Sequence, residues 1–206
     1  MATFVGIDLA LVNTGIVTLV TNRDGEFVCV ATELIKTAKA SKKQNLYAAV
    51  DDVQRAALLY NGIVAELRAS RPALVAVELP SGSQSAVSAQ CNGLAKGVIA
   101  SIREALPEVP FVWLHENQIK QALVGRHKTS KDEIAAAVLE RLPDMQEYLD
   151  KIAKTKREHL TDAAAAVLAA EGCEIWRAAL RTEVEIQWGD DEESLGSSAS
   201  AAQLTP

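Results

Sequence analysis

The apolar positions of this chain follow two rhythms. Phe4–Ile7, Gly15–Thr21 and Phe27–Leu34 are short runs rich in β-branched and aromatic residues. Val12-Asn13-Thr14-Gly15 separates the first two, and a segment from Thr21 to Glu26 containing Asp24-Gly25 separates the second and third. Asn-Thr-Gly and Asp-Gly tolerate positive φ, so the pattern predicts an antiparallel β-meander. After a basic connector the rhythm becomes helical over about Gln44–Ala69. Leu46, Val50, Val53, Ala57, Tyr60, Val64 and Leu67 recur at steps of four and three, which predicts one apolar face. Arg71-Pro72 stops that helix.

The alternation of strand and helix then continues. Ala73–Glu78 is a continuous apolar run ending in an acid, the pattern of a strand buried on both faces. Pro80–Ser83 reads as a loop and Gln84–Leu106 as a helix, with Val87, Cys91, Leu94, Val98, Ile102 and Ala105 along one face. Ser88, Ala89, Gly93, Ala95, Gly97 and Ala100 make the same helix unusually thin, fit for close approach to a second helix across a dimer axis or for tight packing on the sheet. Phe111–Leu114 predicts another buried strand, Glu116–Leu123 a short helix and Thr129–Leu142 a longer one. Asp132 and Glu133 suit the first turn of that longer helix. Residues 144–158 are charged, helical or irregular, and Thr161–Leu180 reads as an Ala-rich last helix. The order predicts an α/β fold, a mixed five-stranded sheet with helices on both faces.

Composition changes this picture in one place. The net charge is −6, which argues against a nucleic-acid partner until its distribution is considered. Six of the 27 acids lie in 183–206, a segment without Lys or Arg, so residues 1–182 balance 21 acids against 21 bases. Global charge therefore leaves room for a basic face. The expected organisation is a domain over 1–182 and an acidic, disordered tail over 183–206. No apolar run reaches the ~18 residues of a membrane span, and no signal peptide is visible at the N-terminus. Cys29, Cys91 and Cys173 are widely spaced and odd in number, which fits a reducing, cytoplasmic setting better than a disulfide framework or a cysteine zinc site.

The candidate chemistry is a set of carboxylates. Asp8 and Glu78 each end an apolar strand, and an ionised carboxylate in such a place is costly unless it is paired or binds a cation. If those strands are neighbours, the two acids converge. Glu158-His159-Leu160-Thr161-Asp162 opens the last helix, where His159 and Asp162, three apart, share a face. Asp162 in the first turn is expected to be favoured in its ionised form by the helix dipole. These are hard ligands, better suited to Mg²⁺ or Mn²⁺ than to zinc. A pair of such ions serves phosphodiester hydrolysis. Lys120, Arg126, Lys128 and Lys131 lie in a stretch with no acid between its ends, a candidate phosphate-contacting patch. The helix start expected at Thr129 adds backbone N–H groups.

At these residues the sequence resembles the RuvC-type Holliday-junction resolvases of the ribonuclease H-like superfamily. Gly6-Ile7-Asp8-Leu9 with Thr14-Gly15 looks like the family's first strand and turn, and Val75–Glu78 is similar to its second acidic strand. Ser88–Val98 resembles its dimer helix, Lys120–Gly125 with Lys131 its basic segment, and His159-Leu160-Thr161-Asp162-Ala163 the start of its last helix. The resemblance spans about residues 3–180. It implies a crossover junction endodeoxyribonuclease with Asp8, Glu78, His159 and Asp162 as metal-binding catalytic residues and two Mg²⁺ or Mn²⁺ ions per site. It further implies a homodimer acting on four-way or otherwise branched DNA. The chain departs from the family's pattern in having no aromatic residue in Leu79-Pro80-Ser81-Gly82, in the length of 144–158 and in the acidic tail. In these it resembles a divergent, phage-type member.

Three other readings compete. The Gly6–Gly15 stretch is close to the first phosphate loop of the actin, sugar-kinase and chaperone ATPases, but the chain is too short for two such lobes and lacks a second Asp-Gly-Gly loop. A ribonuclease H-like nuclease acting on RNA would carry the same acids, and a dimeric DNA-binding module without catalysis would carry the same basic patch. The complete four-residue set argues against the last.

Overall fold

Strand parity organises the molecule. In the computed structural model, which describes residues 2–41, 47–83 and 85–181, five strands form one sheet in the order β3-β2-β1-β4-β5. They are β1 (Thr3–Asp8), β2 (Asn13–Thr21), β3 (Phe27–Lys36), β4 (Leu74–Glu78) and β5 (Phe111–Leu114). The first three pair antiparallel as a meander, and β1, β4 and β5 run parallel. The expected mixed five-stranded sheet with helices on both faces is therefore the observed one.

Successive residues of β1 point to opposite faces. Val5 and Ile7 join a core with Val75, Val77, Leu59 and Ile63, under α1 (Ala48–Ser70) and α2 (Ala86–Ala105). Phe4 joins the other core with Leu74, Ala76 and the alanines of α6 (Arg157–Ala170). Between them on that second face run α3 (Glu116–Val124), α4 (Lys131–Arg141) and α5 (Met145–Leu149), and α7 (Glu174–Arg181) closes its far end. There Trp176 stacks on Phe4 with ring centres 4.1 Å apart, and Phe27 meets both rings edge-on. Such clustering adds geometric preference to the burial of large apolar area.

The position of α6 depends on two glycines. A Cβ on Gly6 would lie 2.0 Å from the Ala163 carbonyl oxygen, and one on Gly15 would lie 2.1 Å from that of His159. The backbone of α6 thus rests directly on β1 and β2, an approach only glycine permits. Gly15 is accordingly a strand residue opposite Asp8, as the strand expected over Gly15–Thr21 has it, without the positive φ that Asn-Thr-Gly suggested.

Two further expectations are corrected. The buried stripe of α1 is Arg55, Leu59, Ile63 and Leu67, while Val50 and Val53 of the expected stripe are exposed. The chain offers two apolar faces at helical spacing, and the charge of Arg55 disguised the one that packs. Arg55 is 2% exposed and donates from Nε to Thr37 Oγ1 at 3.1 Å, so it is buried with a partner. The single last helix expected over Thr161–Leu180 is two helices, α6 starting earlier and α7 separated by a turn at Gly172 with φ 75°. The acidic tail expected from residue 183 lies outside the described residues. Among the described residues no helix is long and apolar enough to cross a membrane.

Candidate active site

Parity and register bring the first two carboxylates together. Asp8 and Glu78 are direct partners across the parallel pair β1–β4. Each lies an even number of residues from a side chain of the α6 core, Phe4 or Leu74, so both point toward α6. From α6, His159 and Asp162 reach the same place. Together the four line a cleft of about 270 Å³, which Lys120 and Lys131 also border. All four expected metal-site residues thus share one cavity at the C-terminal ends of β1 and β4. Glu116 lines it too. The sequence reading missed that acid, although it lies two residues beyond β5 and repeats the strand-then-acid signal.

Burial and like charge shape the electrostatics. Burial, with Asp8, Asp162 and Glu116 nearby, pushes the Glu78 carboxyl up to about 8 against a small opposing effect of Lys131. Asp162 rises to about 7, first by burial and then by the charge of Asp8, with Lys131 and His159 opposing. This corrects the expectation that a helix dipole favours ionised Asp162. Because α6 begins at Arg157, Asp162 lies past the first turn, where the dipole's influence has faded. His159 Nδ1 lies 2.8 Å from Asp8 Oδ2. In the tautomer that donates from Nδ1, the lone pair of Nε2 stays free for a cation or a proton.

The lysines and Glu158 sort themselves around this cleft. Lys131, in the first turn of α4, holds Glu158 Oε2 at 2.5 Å and approaches Asp162 Oδ2 at 4.0 Å. That hydrogen bond keeps Glu158 below the usual carboxylate range. Glu158 is not among the residues that line the cleft, whereas His159 is. Lys120 pairs with Glu116 at 2.5 Å, Arg126 with Glu133, and Lys128 is exposed. The expected basic patch is thus partly neutralised by acids that are distant in sequence or one helical turn away. The helix start expected at Thr129 is capped by Ser130 instead. Its Oγ accepts from Glu133 N at 3.2 Å while the Glu133 carboxylate accepts from Ser130 N at 2.8 Å, so the cap satisfies its own N–H groups.

Three carboxylates and an imidazole are a donor set for a hard divalent ion. Among the described residues no three such side chains already enclose a point where an ion would sit. The donor chemistry and the excess of negative charge nevertheless fit a cation, because neutralising Asp8, Glu78 and Asp162 would remove the repulsion that keeps two of them protonated near neutrality.

A mixed five-stranded sheet in this order, with helices on both faces, is a ribonuclease H-like fold. The family model described as crossover junction endodeoxyribonuclease RuvC matches residues 4–169, and the chain belongs to that family of metal-dependent, junction-directed nucleases. Solved structures with this fold include the RuvC of Thermus thermophilus in complex with a Holliday junction substrate, 23% identical, with a TM-score of 0.64, covering 88% of this chain and 98% of that one. The yeast mitochondrial Holliday junction resolvase Ydc2 is 11% identical, with a TM-score of 0.60 and 86% and 80% of the two chains covered. The fowlpox virus resolvase is 12% identical, with a TM-score of 0.51 and 81% and 95% covered. No curated protein matches the chain.

Proposed function

We propose that this protein cuts four-way DNA junctions by metal-assisted hydrolysis of a phosphodiester, with Asp8, Glu78, His159 and Asp162 as its catalytic residues. The observation that carries this reading is the in-register Asp8–Glu78 pair under a helix that delivers His159 and Asp162 to the same cleft. Two Mg²⁺ or Mn²⁺ ions held by these side chains would supply Lewis-acid stabilisation of the charge that develops on the attacking and leaving oxygens. Asp8, at the rigid end of a paired strand, orients the His159 ring through their hydrogen bond. Nε2 can then serve as a ligand or accept a proton. A cation held there would displace the protons of Asp162 and Glu78, so affinity for metal is expected to rise with pH until about 8. Lys131 and Lys120 border the cleft and can meet the phosphate backbone, and Arg126 and Lys128 extend the basic approach.

A homodimer supplies the second site that a four-way junction needs. The α1–α2 face supports it. A Cβ on Gly93 or Gly97 would meet no atom within 4 Å, and Val53, Leu58 and Val87 beside this surface are 65%, 60% and 57% exposed. Ala95 of the stripe packs in the core, while Ser88, Ala89, Gly93, Gly97 and Ala100 are exposed, and it is these that support an approach by a second helix.

The test is single-turnover cleavage of a four-way junction, a linear duplex and a structured RNA in Mg²⁺ and in Mn²⁺. Junction cutting that Asp8→Asn abolishes while binding persists is the expected result. Preferential cutting of the RNA, or near wild-type cutting by Asp8→Asn, would overturn the reading.

A further inference from the structure

Lys131 borders two cavities. The second is a groove of about 470 Å³ between α4, α5 and the start of α6, lined by Lys154, Thr155, Arg157, Gln146 and Thr161 as well as Lys131. The acids facing it are Asp132 and Glu158, and Glu158 is already taken by Lys131 at 2.5 Å. The groove has no part in the four-residue site, and residues 144–158 supply much of its wall.

Its charges are oddly placed. Residues 151–157 hold Lys151, Lys154, Lys156 and Arg157 with no acid among them, and they lead into the N-terminus of α6, a helix of 14 residues that no side chain caps. A helix N-terminus carries partial positive charge and favours acids, so bases gathered there repel both the dipole and each other. One side of the Arg157 guanidinium is held by Asp150, whose Oδ1 is 3.3 Å from Nη2. Its Nε is buried with no hydrogen-bond partner. The Arg157 side chain is 34% exposed, and an anion in the groove would accept from the open part of its guanidinium and neutralise the bases gathered at the helix start.

We infer that this groove seats a second backbone phosphate of the DNA strand whose scissile phosphate lies in the neighbouring cleft, with Arg157 and Lys154 as its cationic contacts. The inference rests on the nuclease reading for the identity of the strand. Arg157 provides a planar fork for two phosphate oxygens, Lys154 a mobile point charge, and Thr155 and Gln146 neutral donors at the margin. Lys131, common to both cavities, then lies between consecutive contacts of one strand. The segment before α6 then grips the strand beside the cut.

The test measures the affinity of the full chain for a fluorescent four-way junction in EDTA, from about 0.05 to 0.3 M salt. The variants are Lys154→Glu, Arg157→Gln and the charge-preserving Arg157→Lys, with Arg68→Ala on exposed α1 as control. One phosphate contact contributes about 0.9 to the logarithmic salt slope, about 8-fold in affinity at 0.1 M salt. Lys154→Glu and Arg157→Gln are each expected to weaken binding about 10-fold at that salt and to lower the slope by about 1. Arg157→Lys should recover much of the loss, and Arg68→Ala should bind as wild type. Lys154 is exposed, so Lys154→Glu keeps the test decisive if Arg157→Gln fails to fold. Unchanged affinity and slope in Lys154→Glu would overturn the inference. Wild-type protein that binds the junction but does not cut it in Mg²⁺ would remove the nuclease reading instead, leaving the groove to stand or fall by the slope. Wild-type protein that binds no DNA would remove both.

Discussion

Replacing Glu78 by Gln should stabilise the metal-free protein while removing its activity. Glu78 is held up to about 8 from an ordinary value of 4.5 by burial and by the charges of Asp8, Asp162 and Glu116. A group whose folded value is raised contributes stability below its unfolded value and loses it as pH climbs to the folded value. The window here is therefore about 4.5 to 8. Each pH unit in that window is worth about 1.4 kcal/mol, so at pH 7, well inside the window, the unscreened deficit is roughly 3 to 4 kcal/mol. The cleft is open, and water screens part of the repulsion, which brings the expected gain of the variant to roughly 2 kcal/mol. Gln does not titrate, so its advantage should be small at pH 5, grow through pH 7 and level off above pH 8. Urea unfolding of both proteins in EDTA at pH 5, 7 and 8.5 measures it. In millimolar Mg²⁺ the order should narrow or reverse, because the wild type gains binding energy that the variant forgoes. A stability difference independent of pH, or a variant weaker at every pH in EDTA, would show that Glu78 does not sit in a repulsive, buried cluster.

Three other outcomes follow from the same geometry. His159→Ala should slow single-turnover junction cleavage by at least ~100-fold, the low end of acid–base contributions, whereas Glu158→Ala, which only frees Lys131, should cost little; a larger loss from Glu158→Ala would reverse the assignment. Gly15→Ala should lower stability by about 3 kcal/mol or more in denaturant titrations, because its Cβ would meet the His159 carbonyl oxygen at 2.1 Å; a stability equal to wild type would mean α6 does not rest on β2. Gly93→Leu should yield a folded monomer by light scattering and circular dichroism, since the side chain enters open space in one chain and the closest contact of a second; an unchanged mass would place the dimer face elsewhere.

The fold and most of the site were legible in the linear chain because both follow from period-two alternation and strand ends. Phe4–Ile7 and Ala73–Glu78 read as apolar strands leading to a carboxylate, which made a shared site conditional on their being neighbours, and the sheet supplied that pairing and its register. The His159–Asp162 spacing similarly fixed a common face whichever residue began the helix. What the sequence could not determine depended on contacts between distant segments. Whether Gly15 serves as a landing for α6 depends on a carbonyl 144 positions later. Whether Val53 or Leu59 is buried depends on which of two apolar faces meets the sheet. Asp162 is pushed up to about 7 by burial in the cleft and then by the charge of Asp8, 154 positions away. Local propensity and periodicity are properties of neighbours in sequence, and they decide the elements. Desolvation, repulsion and close approach are properties of neighbours in space, and only the tertiary structure decides those.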